Sequence, residues 1–424
     1  MAGGKGTRMA SFAPDTPKPM IPVHGKPILH HQLDCLVKNN LKDILIVTGY
    51  LGHVIRDYFG DGTGFGCSVT YFEETEPLGS GGALYKIFDR VDDDFILVNG
   101  DIIFDIDFSR FISFYKSQDA WAALVVHPNS HPYDSALIFT GKDQRVINWL
   151  NKEEPRYYYR NQVNAGIHIV SKNLLRAVKP SCEKVDLDRE ILKPLIPSGK
   201  IFAYSTPEYI KDAGTPDRFA QVSLDIESGL VRRRNLSMKQ RAVFLDRDGT
   251  LNKTKGFIHN PDDFELLDGV PEAVRKINQS GFLAVVITNQ PVIARGECSV
   301  EELDGIHQKM ETELGKKGAF IDDLFYCPHH PDGGFPGERP EYKIDCGCRK
   351  PKPGMILRAA EKYNIDLAQS YMVGDDMRDV RAGINAGCIP VLLTEKDRRT
   401  EITEEKNNIL QFLNLFEFTK CLAD

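Results

Sequence analysis

The chain has 424 residues, which is too long for one ordinary hydrophobic core and favours two domains. Its apolar and charged fractions, 42% and 27%, are typical of a globular protein, and its net charge of −7 gives no electrostatic reason to expect nucleic acid or an anionic membrane as a partner. No apolar run approaches the roughly 20 residues that cross a bilayer, so we predict no membrane partner.

The cysteine content bears on the compartment. There are nine cysteines, an odd number, and no apolar signal stretch follows Met1. We therefore predict a cytoplasmic protein with reduced thiols. The oligomeric state is not legible in the sequence, and an oligomer is compatible with it.

Short apolar runs alternate with amphipathic stretches along the chain. Residues 44–47 and 95–98 are two such runs, and each run ends in Gly, Asn or Asp. This alternation is typical of strands, loops and helices in a parallel α/β sheet. The pattern restarts at residues 242–245 and continues through 283–287 and 371–373. We therefore predict two doubly wound α/β domains.

The boundary between the two series is predicted near residues 227–241, where Arg232, Arg233 and Arg234 follow one another. We interpret these arginines as part of a solvated linker; a phosphate-binding or partner-binding patch is the alternative. The predicted limits are residues 1–228 for the first domain, 229–240 for the linker and 241–424 for the second domain.

The first domain begins with a glycine-rich loop at residues 3–8, whose backbone amides could approach a triphosphate, with Arg8 adding positive charge. Such a loop alone is a weak signal, and a flexible tail is the usual interpretation. Here it is followed in order by motifs at residues 17–23, 25–28, 73–82, 99–101, 164–166 and 212–216.

This series resembles the sugar-1-phosphate nucleotidyltransferases, with their Rossmann-like fold, over about residues 1–228. The resemblance implies in-line attack of a sugar 1-phosphate oxygen on the nucleotide α-phosphorus, with release of pyrophosphate. It implies that Arg8 and Lys18 neutralise the transferring group and that Asp101 and Asp212 hold Mg²⁺. The residues expected to contact nucleotide or sugar phosphate are Gly3, Gly4, Gly79, Gly81, Asn164, Gly166 and, with a solvated surface lysine as the alternative, Lys152.

The start of the chain departs from this family. Relatives have an apolar strand before the Ala2-Gly3-Gly4 turn, whereas here Met1 stands where that strand would end. An interior strand that is missing would leave its neighbours with unpaired backbone groups, at about 1–3 kcal/mol each when buried. We therefore expect an upstream start or a truncated chain, and otherwise a first domain that is unstable or inactive as a transferase.

Acidic residues directly follow two predicted strands of the second domain. Asp246, with Asp248 two residues on, follows one strand, and Asp375 follows another. Ligands bind beyond the carboxyl ends of parallel strands. Asp246 could attack phosphorus to form an aspartyl phosphate, while Asp248 protonates the leaving oxygen and then activates water. These carboxylates also offer the oxygen ligands that Mg²⁺ prefers, so we predict a magnesium site formed by Asp246, Asp248 and Asp375.

Polar residues that suit an anionic substrate follow further strands. Thr288 and Asn289 offer a hydroxyl and amides for phosphoryl oxygens, and Lys350 offers a fixed positive charge for the transferring group. Four such segments in this order resemble the haloacid dehalogenase superfamily over residues 241 to about 394. A phosphomonoesterase is therefore the predicted activity of this domain.

Three cysteines and a histidine have the spacing of a metal site. Cys-x-His and Cys-x-Cys pairs could close one tetrahedral zinc site whose four positions are all filled by protein, so we interpret it as structural. Unrelated cysteines near a surface histidine are the alternative, and His330 could replace His329. The predicted zinc ligands are Cys327, His329, Cys346 and Cys348.

The zinc motif, the segment around Asp246 and the Cys-Arg-Lys-Pro segment together resemble the D-glycero-D-manno-heptose 1,7-bisphosphate 7-phosphatases, with histidinol phosphatases as close relatives. By this resemblance Arg349 grips the substrate away from the cleaved phosphate, and Arg295 and Asn289 also bind substrate. Two departures bear on substrate fit: Pro291-Val292 replaces Ser-Gly, and Asp376 stands where relatives commonly have Lys.

The two resemblances fit consecutive steps. Removal of the 7-phosphate yields heptose 1-phosphate, a substrate of the type that a sugar nucleotidyltransferase consumes. By analogy with the heptose pathway, the nucleotide would be GTP and the product GDP-heptose for cell-surface polysaccharide such as lipopolysaccharide. The alternatives are a phosphatase for histidinol phosphate joined to another sugar transferase, and a first domain that binds nucleotide or sugar without catalysis and regulates the phosphatase.

Overall fold

The computed structural model describes residues 1–3, 16–254, 256–394 and 409–422. The chain divides into two compact units. The first contains residues 1–127, 138–150 and 163–235, and the second contains 128–137, 151–162 and 236–424. The α/β class is confirmed. The contiguous domain limits given above stay a prediction, and these units differ from them chiefly because segments 128–137 and 151–162 pack with the second unit.

The first half of the chain contributes a mixed sheet and three two-stranded ladders. Its strands are β1 (Pro22–Val23), β2 (Lys26–Pro27), β3 (Asp43–Thr48), β4 (Ser68–Glu73), β5 (Asp94–Val98), β6 (Ile102–Asp105), β7 (Ala122–His127), β8 (Leu137–Thr140), β9 (Val146–Leu150), β10 (Val163–Ser171), β11 (Ile201–Ser205) and β12 (Tyr209–Asp212). The sheet order is β11-β7-β10-β8-β9, and β5 also pairs with β10. The parallel pair β3–β4 and the antiparallel pairs β6–β12 and β1–β2 form separate ladders.

Helices alternate with these strands, as the apolar pattern predicts. They are α1 (Ile28–Lys38), α2 (Gly52–Phe59), α3 (Gly79–Lys86), α4 (Phe108–Lys116), α5 (Lys172–Ala177), α6 (Pro216–Glu227) and α7 (Leu230–Arg233). A π-helical turn covers Leu187–Leu192. Local chemistry sets the helix starts: the Thr215 hydroxyl accepts a hydrogen bond from Arg218 N–H, and Pro216 occupies the first turn of α6.

The first two residues lie beside β3 and β5. The Ala2 N–H donates to Val47 O at 2.8 Å, and the Met1 amino group donates to Val98 O at 2.8 Å. The Gly100 N–H donates to Met1 O at 2.8 Å. These hydrogen bonds satisfy one carbonyl on each of the two strands. The expectations about an upstream start and an inactive first domain stay predictions.

The predicted linker is partly helical. Leu230 packs with Val222 and Val23 in a small core, which holds α7 against the first unit. The expectation that all three linker arginines are solvated is wrong for Arg234, which is 5% exposed. Because α7 packs through Leu230, the residue directly after the helix is carried into a buried position.

The second unit has one parallel sheet. Its strands are β13 (Ala242–Leu245), β14 (Leu283–Asn289), β15 (Asp323–Cys327), β16 (Tyr371–Gly374), β17 (Ile389–Leu393) and β18 (Leu410–Phe412), in the order β15-β14-β13-β16-β17-β18. The helices are α8 (Val270–Gln279), α9 (Val300–Gly315), α10 (Gly354–Tyr363), α11 (Met377–Ala386) and α12 (Leu415–Thr419). Every residue of β13 is buried because both faces of the sheet are covered by apolar side chains.

Capping boxes fix the starts of two helices near the carboxyl ends of these strands. Ser299 and Glu302 form one at α9, and Asp376 and Asp379 form the other at α11.

Among the helices that the structure describes, none combines the length and the apolar character needed to cross a membrane.

Candidate active sites

The parallel sheet brings the predicted phosphatase residues to one edge. Leu245, the last residue of β13, pairs with Val286 of β14 and with Val373 of β16. Asp246 therefore follows the central strand, with Asp375 after the strand on one side and Thr288 near the end of the strand on the other. Their shared position follows from strand order, since the carboxyl ends of parallel strands meet at the same edge.

Three carboxylates form a compact group at this edge. Asp246, Asp375 and Asp379 each offer an oxygen within 4.8 Å of the others. Burial raises the pKa of Asp246, and the Asp379 carboxylate raises it further. Burial and the neighbouring Asp246 raise the pKa of Asp375 to about 6. Carboxylates crowded in this way gain from a bound divalent cation, so the group fits Mg²⁺.

Two glycines make room for this group. A Cβ at Gly249, whose φ is +84°, would stand 2.1 Å from Asp375 Oδ2. A Cβ at Gly374 would stand 2.2 Å from Asp379 Oδ2. Any side chain at either position would displace a carboxylate, so the close approach of the oxygens depends on glycine at both positions.

Asp379 is a site residue that the sequence analysis missed, and it takes the position predicted for Asp248. It lies one turn into α11 after Asp375, and that spacing of two acids at a strand-to-helix junction is the signal that could have identified it. Among the described residues, the Asp248 carboxylate is not part of the acidic group, because other side chains hold it. The predicted role of Asp248 as a magnesium ligand stays a prediction.

Asp248 is oriented by buried neighbours. The Arg247 Nη2 atom donates to Asp248 Oδ1 at 2.9 Å and to Oδ2 at 2.8 Å. Gln290 Nε2 donates to Asp248 Oδ2 at 2.9 Å, and Asn252 Nδ2 donates to Oδ1 at 3.1 Å. The Arg247 side chain is fully buried, whereas that of Asp248 is 28% exposed, so the arginine holds the carboxylate from the protein interior. The arrangement fixes the direction in which the Asp248 carboxyl can exchange a proton.

Lys350 is the fixed cation of the site. Its Nζ lies 2.8 Å from Asp246 Oδ1 and 2.6 Å from Asp379 Oδ1, and its side chain is 2% exposed. Asn289 forms two hydrogen bonds with the backbone of Lys350. Its Oδ1 accepts from Lys350 N–H at 3.0 Å, and its Nδ2 donates to Lys350 O at 3.1 Å. Asn289, predicted to bind substrate, thus also positions Lys350. The Thr288 hydroxyl accepts from Gln290 Nε2 at 2.9 Å.

Arginines gather on the side predicted to face the substrate. The Arg295 guanidinium lies between the rings of Phe257 and Phe335, 4.2 and 4.4 Å from their centroids. Arg349 Nη1 donates to His329 O at 3.1 Å, which ties it to the zinc loop. Burial lowers the pKa of Arg349, and nearby Arg295 contributes to the same direction. Positive charges held this close favour an anion among them.

The two departures from the family have structural counterparts. Pro291 O accepts a hydrogen bond from Arg295 N–H at 3.0 Å, and Val292 is fully buried in the core. Asp376 caps α11 and forms an ion pair with Arg378, with Nε 2.9 Å from Oδ1. The negative charge at this position is therefore paired. Their effect on substrate fit stays a prediction.

The four predicted zinc ligands converge at the end of β15. The sulfur atoms of Cys327, Cys346 and Cys348 lie 3.1–3.4 Å apart, and His329 Nδ1 lies 3.4 Å from Cys348 Sγ and 3.6 Å from Cys327 Sγ. An ion with bonds of about 2.3 Å to sulfur and 2.0–2.1 Å to nitrogen fits among these atoms. His330 points elsewhere, because its Nδ1 accepts from Asp332 N–H at 3.2 Å. The geometry therefore favours His329.

In the first unit, the predicted magnesium ligands lie at one end of the β6–β12 ladder. Ile102 pairs with Asp212, and Asp101 directly precedes Ile102. Lys18 Nζ lies 2.6 Å from Asp101 Oδ2. A Cβ at Gly214 would stand 2.8 Å from Asp212 Oδ1 and 3.2 Å from Lys18 Nζ, so glycine keeps this approach open. Two partly exposed carboxylates fit a magnesium ion as oxygen donors.

Asn164 and Gly166 are close to a partly buried acid, Asp188, that the sequence analysis missed. Asn164 Nδ2 donates to Asp188 Oδ2 at 3.2 Å, and Asn164 Oδ1 accepts from Gly166 N–H at 3.1 Å. Burial and the neighbouring Asp186 raise the pKa of Asp188 to about 7. No sequence motif marks Asp188, because its contact with Asn164 on strand β10 is formed only in the folded chain.

The predicted glycine contacts have a second explanation. A Cβ at Gly79 would stand 2.4 Å from Val185 O, and one at Gly81 would stand 3.1 Å from Leu187 N. These glycines let α3 pack closely on residues 183–187, and their predicted contact with nucleotide stays a prediction. A Cβ at Gly3 would stand 2.1 Å from Glu74 Oε2.

The remaining predicted residues of the first half are Gly4, Arg8 and Lys152. Gly4 and Arg8 lie outside the described residues. Lys152 lies in segment 151–162, which packs with the second unit. Its predicted contact with the sugar phosphate stays a prediction.

Comparisons with known proteins match the two halves of the chain to two different families. A model of the nucleotidyl transferase family matches residues 1–229, and a HAD-hydrolase-like model matches residues 347–412. The D-glycero-beta-D-manno-heptose-1,7-bisphosphate 7-phosphatase of Yersinia pestis is 44% identical over 145 residues, 34% of this chain and 75% of that protein. The enzyme of the same name from Escherichia coli K12 is 41% identical over 169 residues, 39% of this chain and 84% of that protein.

The chain is also similar to a solved structure. The crystal structure of HddC from Yersinia pseudotuberculosis is 25% identical with a TM-score of 0.46, and the match covers 53% of this chain and 96% of that one.

Proposed function

We propose two consecutive activities for this chain, which belongs through residues 1–229 to the nucleotidyl transferase family and through its second half to the D-glycero-beta-D-manno-heptose-1,7-bisphosphate 7-phosphatase family. The second half removes the phosphate at C7 of D-glycero-D-manno-heptose 1,7-bisphosphate. The first half then transfers a nucleotidyl group, GMP from GTP, to the resulting heptose 1-phosphate. GTP is proposed by analogy with the heptose pathway.

The observation that carries the phosphatase proposal is the contact among Asp246, Lys350 and Asp379. The Lys350 ammonium, 2.8 Å from Asp246 Oδ1, favours the ionised carboxylate despite burial. Asp246 can therefore attack phosphorus, with formation of an aspartyl phosphate and departure of the sugar alkoxide. Lys350 stays beside the transferring group and offsets its negative charge.

Asp248 completes both steps. Its carboxyl gives a proton to the departing oxygen, and the resulting carboxylate then takes a proton from the water that cleaves the aspartyl phosphate. Arg247 and Gln290 keep that carboxyl in one orientation throughout, at 2.8 and 2.9 Å from Oδ2. Mg²⁺, which Asp246 and Asp375 with Asp379 would hold, reduces the repulsion between the carboxylates and the phosphate.

Arg295 and Arg349 support a substrate with a second anionic group. Arg295 is held by the rings of Phe257 and Phe335, and Arg349 by the carbonyl oxygen of His329. Both guanidinium groups are therefore fixed by neutral partners and keep their charge for a ligand. A sugar bisphosphate would place its uncleaved phosphate among these cations. The heptose specificity is supported further by 44% identity to the Yersinia pestis phosphatase.

For the transferase, Lys18 and the two acids Asp101 and Asp212 are the supporting observation. Lys18 would neutralise the α-phosphate, and its present partner Asp101 would bind Mg²⁺ together with Asp212. Zinc at the Cys327 cluster would hold the loop that delivers Arg349 and Lys350. We place both activities in the cytoplasm, where the thiol ligands stay reduced.

The test supplies the protein with the α and β anomers of heptose 1,7-bisphosphate, together with each nucleoside triphosphate in turn, and records phosphate and pyrophosphate separately by ³¹P NMR. The proposal predicts phosphate release from the bisphosphate, then pyrophosphate release that depends on GTP. Release of neither product would overturn it. Phosphate release from histidinol phosphate alone would replace the heptose assignment with the histidinol alternative.

A further inference from the structure

Segment 151–162 comes from the first half of the chain, yet it docks on α9 of the second unit. Arg160 Nε lies 2.5 Å from Glu311 Oε1, and Asn161 N–H donates to Glu311 Oε2 at 2.7 Å. The Tyr159 N–H donates to Thr312 Oγ1 at 2.9 Å. Three consecutive residues of the segment thus bind one turn of the helix.

The docking depends on an ion pair whose acid is buried and whose arginine is 30% exposed. The Glu311 side chain is 3% exposed, and Arg160 also lies 3.4 Å from Asp304 Oδ1. A buried carboxylate is costly unless a cation accompanies it. Without Arg160, Glu311 would take up a proton or move toward water, and either change would weaken the contact that holds α9.

His307 lies on the same face of α9 as these acids. Asp304, His307 and Glu311 follow one another at spacings of three and four residues, which places them in one row on the helix. His307 is buried, and burial together with the guanidinium groups of Arg247 and Arg160 holds its pKa well below the usual range. The neutral imidazole can therefore accept a hydrogen bond from Arg247.

The contacts of His307 lead to the general acid. His307 Nε2 lies 3.3 Å from Arg247 Nη1, and Arg247 Nη2 binds both oxygens of Asp248 and Gln290 Oε1. A shift of α9 would move His307, and the orientation of Arg247 would change with it. Lys350 and the zinc cluster lie outside this series of contacts, because Asn289 and the Cys327 loop hold them.

We propose that Arg160 is a positioning residue for phosphoryl transfer in the second half. It fixes α9 through Glu311, and thereby fixes the general acid Asp248 through His307 and Arg247. This inference rests on the proposed phosphatase function. A segment carried by the transferase half therefore takes part in setting up the phosphatase site.

The test uses the dependence of the rate on the leaving group. A sugar alkoxide needs a proton as it departs, whereas 4-nitrophenolate leaves without one, and kcat/KM reports only the steps up to that departure. Arg160→Met should lower kcat/KM for the heptose bisphosphate on the order of tenfold, as expected for a catalytic group displaced by a fraction of an ångström. For 4-nitrophenyl phosphate the loss should stay below about twofold, since the general acid contributes little there.

Two further variants test whether Arg160 acts through Glu311 and His307. Arg160→Met combined with His307→Gln should cost no more than His307→Gln alone, because Arg160 acts through His307. Glu311→Gln, which retains the shape of the side chain, should repeat the selective loss. Lys316→Met is the matched control, since Lys316 pairs with Glu313 on the exposed side of the end of α9 and should change neither substrate.

The outcomes separate a failure of the proposed phosphatase function from a failure of the positioning role of Arg160. If the unaltered protein hydrolyses neither substrate, the proposed phosphatase function fails. If the unaltered protein is active but Arg160→Met and Glu311→Gln lower both substrates equally, or neither, the positioning role is wrong. Multiplicative losses in the double variant would likewise overturn it.

Discussion

Asn289 holds the backbone of Lys350 with two hydrogen bonds, accepting from its N–H at 3.0 Å and donating to its carbonyl oxygen at 3.1 Å. The Lys350 side chain then reaches two carboxylates, 2.8 Å from Asp246 and 2.6 Å from Asp379. A residue at the end of one strand thus sets the position of the cation on a separate loop.

Removal of that amide should misplace the lysine. We expect Asn289→Ala to lower the phosphatase kcat by roughly 10-fold to 100-fold, on the order expected when a charge-stabilising group is displaced. Steady-state kinetics on the heptose bisphosphate measure the effect. Asn173→Ala is the control, because Asn173 accepts from Arg176 Nη1 at 3.0 Å at an exposed position on α5 and should leave kcat unchanged. Equal losses in both variants would contradict the positioning role of Asn289.

The cysteine cluster predicts a specific metal content. We expect about one zinc per chain by elemental mass spectrometry, and its loss in Cys348→Ser, with a lower melting temperature because the closed site contributes to folding. His329→Asn should lose zinc, whereas His330→Asn should retain it, since His329 Nδ1 faces the sulfur atoms and His330 Nδ1 binds the Asp332 N–H. Cys421→Ser, at an exposed thiol, is the control. Zinc retained in Cys348→Ser and His329→Asn would rule out this site.

The partly buried Asp188 predicts a pH dependence of stability. Burial and Asp186 raise its pKa from 3.8 to about 7, so between these pH values the folded protein keeps a proton that the unfolded chain has lost. The free energy of unfolding should therefore fall as pH rises through this window, by about 1.4 kcal/mol per pH unit at most. Below about pH 4 the aspartate is protonated in both states, so it adds no pH dependence there.

Asp188→Asn should remove that slope. Urea unfolding at several pH values, for the unaltered protein and the variant, measures the difference in stability between them. The variant should gain relative stability as pH rises from about 4 to 7. Asp143→Asn, at an exposed residue, provides the matched comparison and should run parallel to the unaltered protein. Parallel curves for Asp188→Asn as well would show that Asp188 is not held protonated.

Arg295 predicts a split between substrates. Arg295→Met should raise KM for the heptose bisphosphate by roughly 10-fold or more, because a charge-assisted contact with the second phosphate is worth about 1.5–3 kcal/mol. KM for heptose 7-phosphate, which lacks that phosphate, should change little. Arg358→Met removes an exposed arginine on α10 and serves as control. An equal rise of KM for both substrates would mean that Arg295 does not bind the second phosphate.

The residues that could be predicted from the sequence are those whose role depends on their place beside a strand. Asp246 and Asp375 directly follow buried apolar runs, and the spacing of the zinc ligands is local to two short segments. For these residues, the alternation of apolar runs was enough to predict both the sheet and the edge at which the side chains meet.

The remaining features depend on tertiary contacts. Asp379 forms an ion pair with Lys350, which also binds Asp246. Asn289 accepts a hydrogen bond from the backbone N–H of Lys350, which lies on a loop distant in sequence. Gly79 is needed because another segment packs against it, which no local pattern indicates. Arg160 pairs with a helix from the other half of the chain, and a contiguous division of the chain could not anticipate such a contact.

The central claim is that one chain carries two separable sites for consecutive reactions. Its most direct measurement follows phosphate and pyrophosphate from heptose 1,7-bisphosphate and GTP in two variants. Asp246→Asn should abolish phosphate release yet still release pyrophosphate when heptose 1-phosphate is supplied, and Asp101→Asn should do the reverse. Loss of both products in either folded variant, or pyrophosphate release that Asp101→Asn does not reduce, would contradict the account.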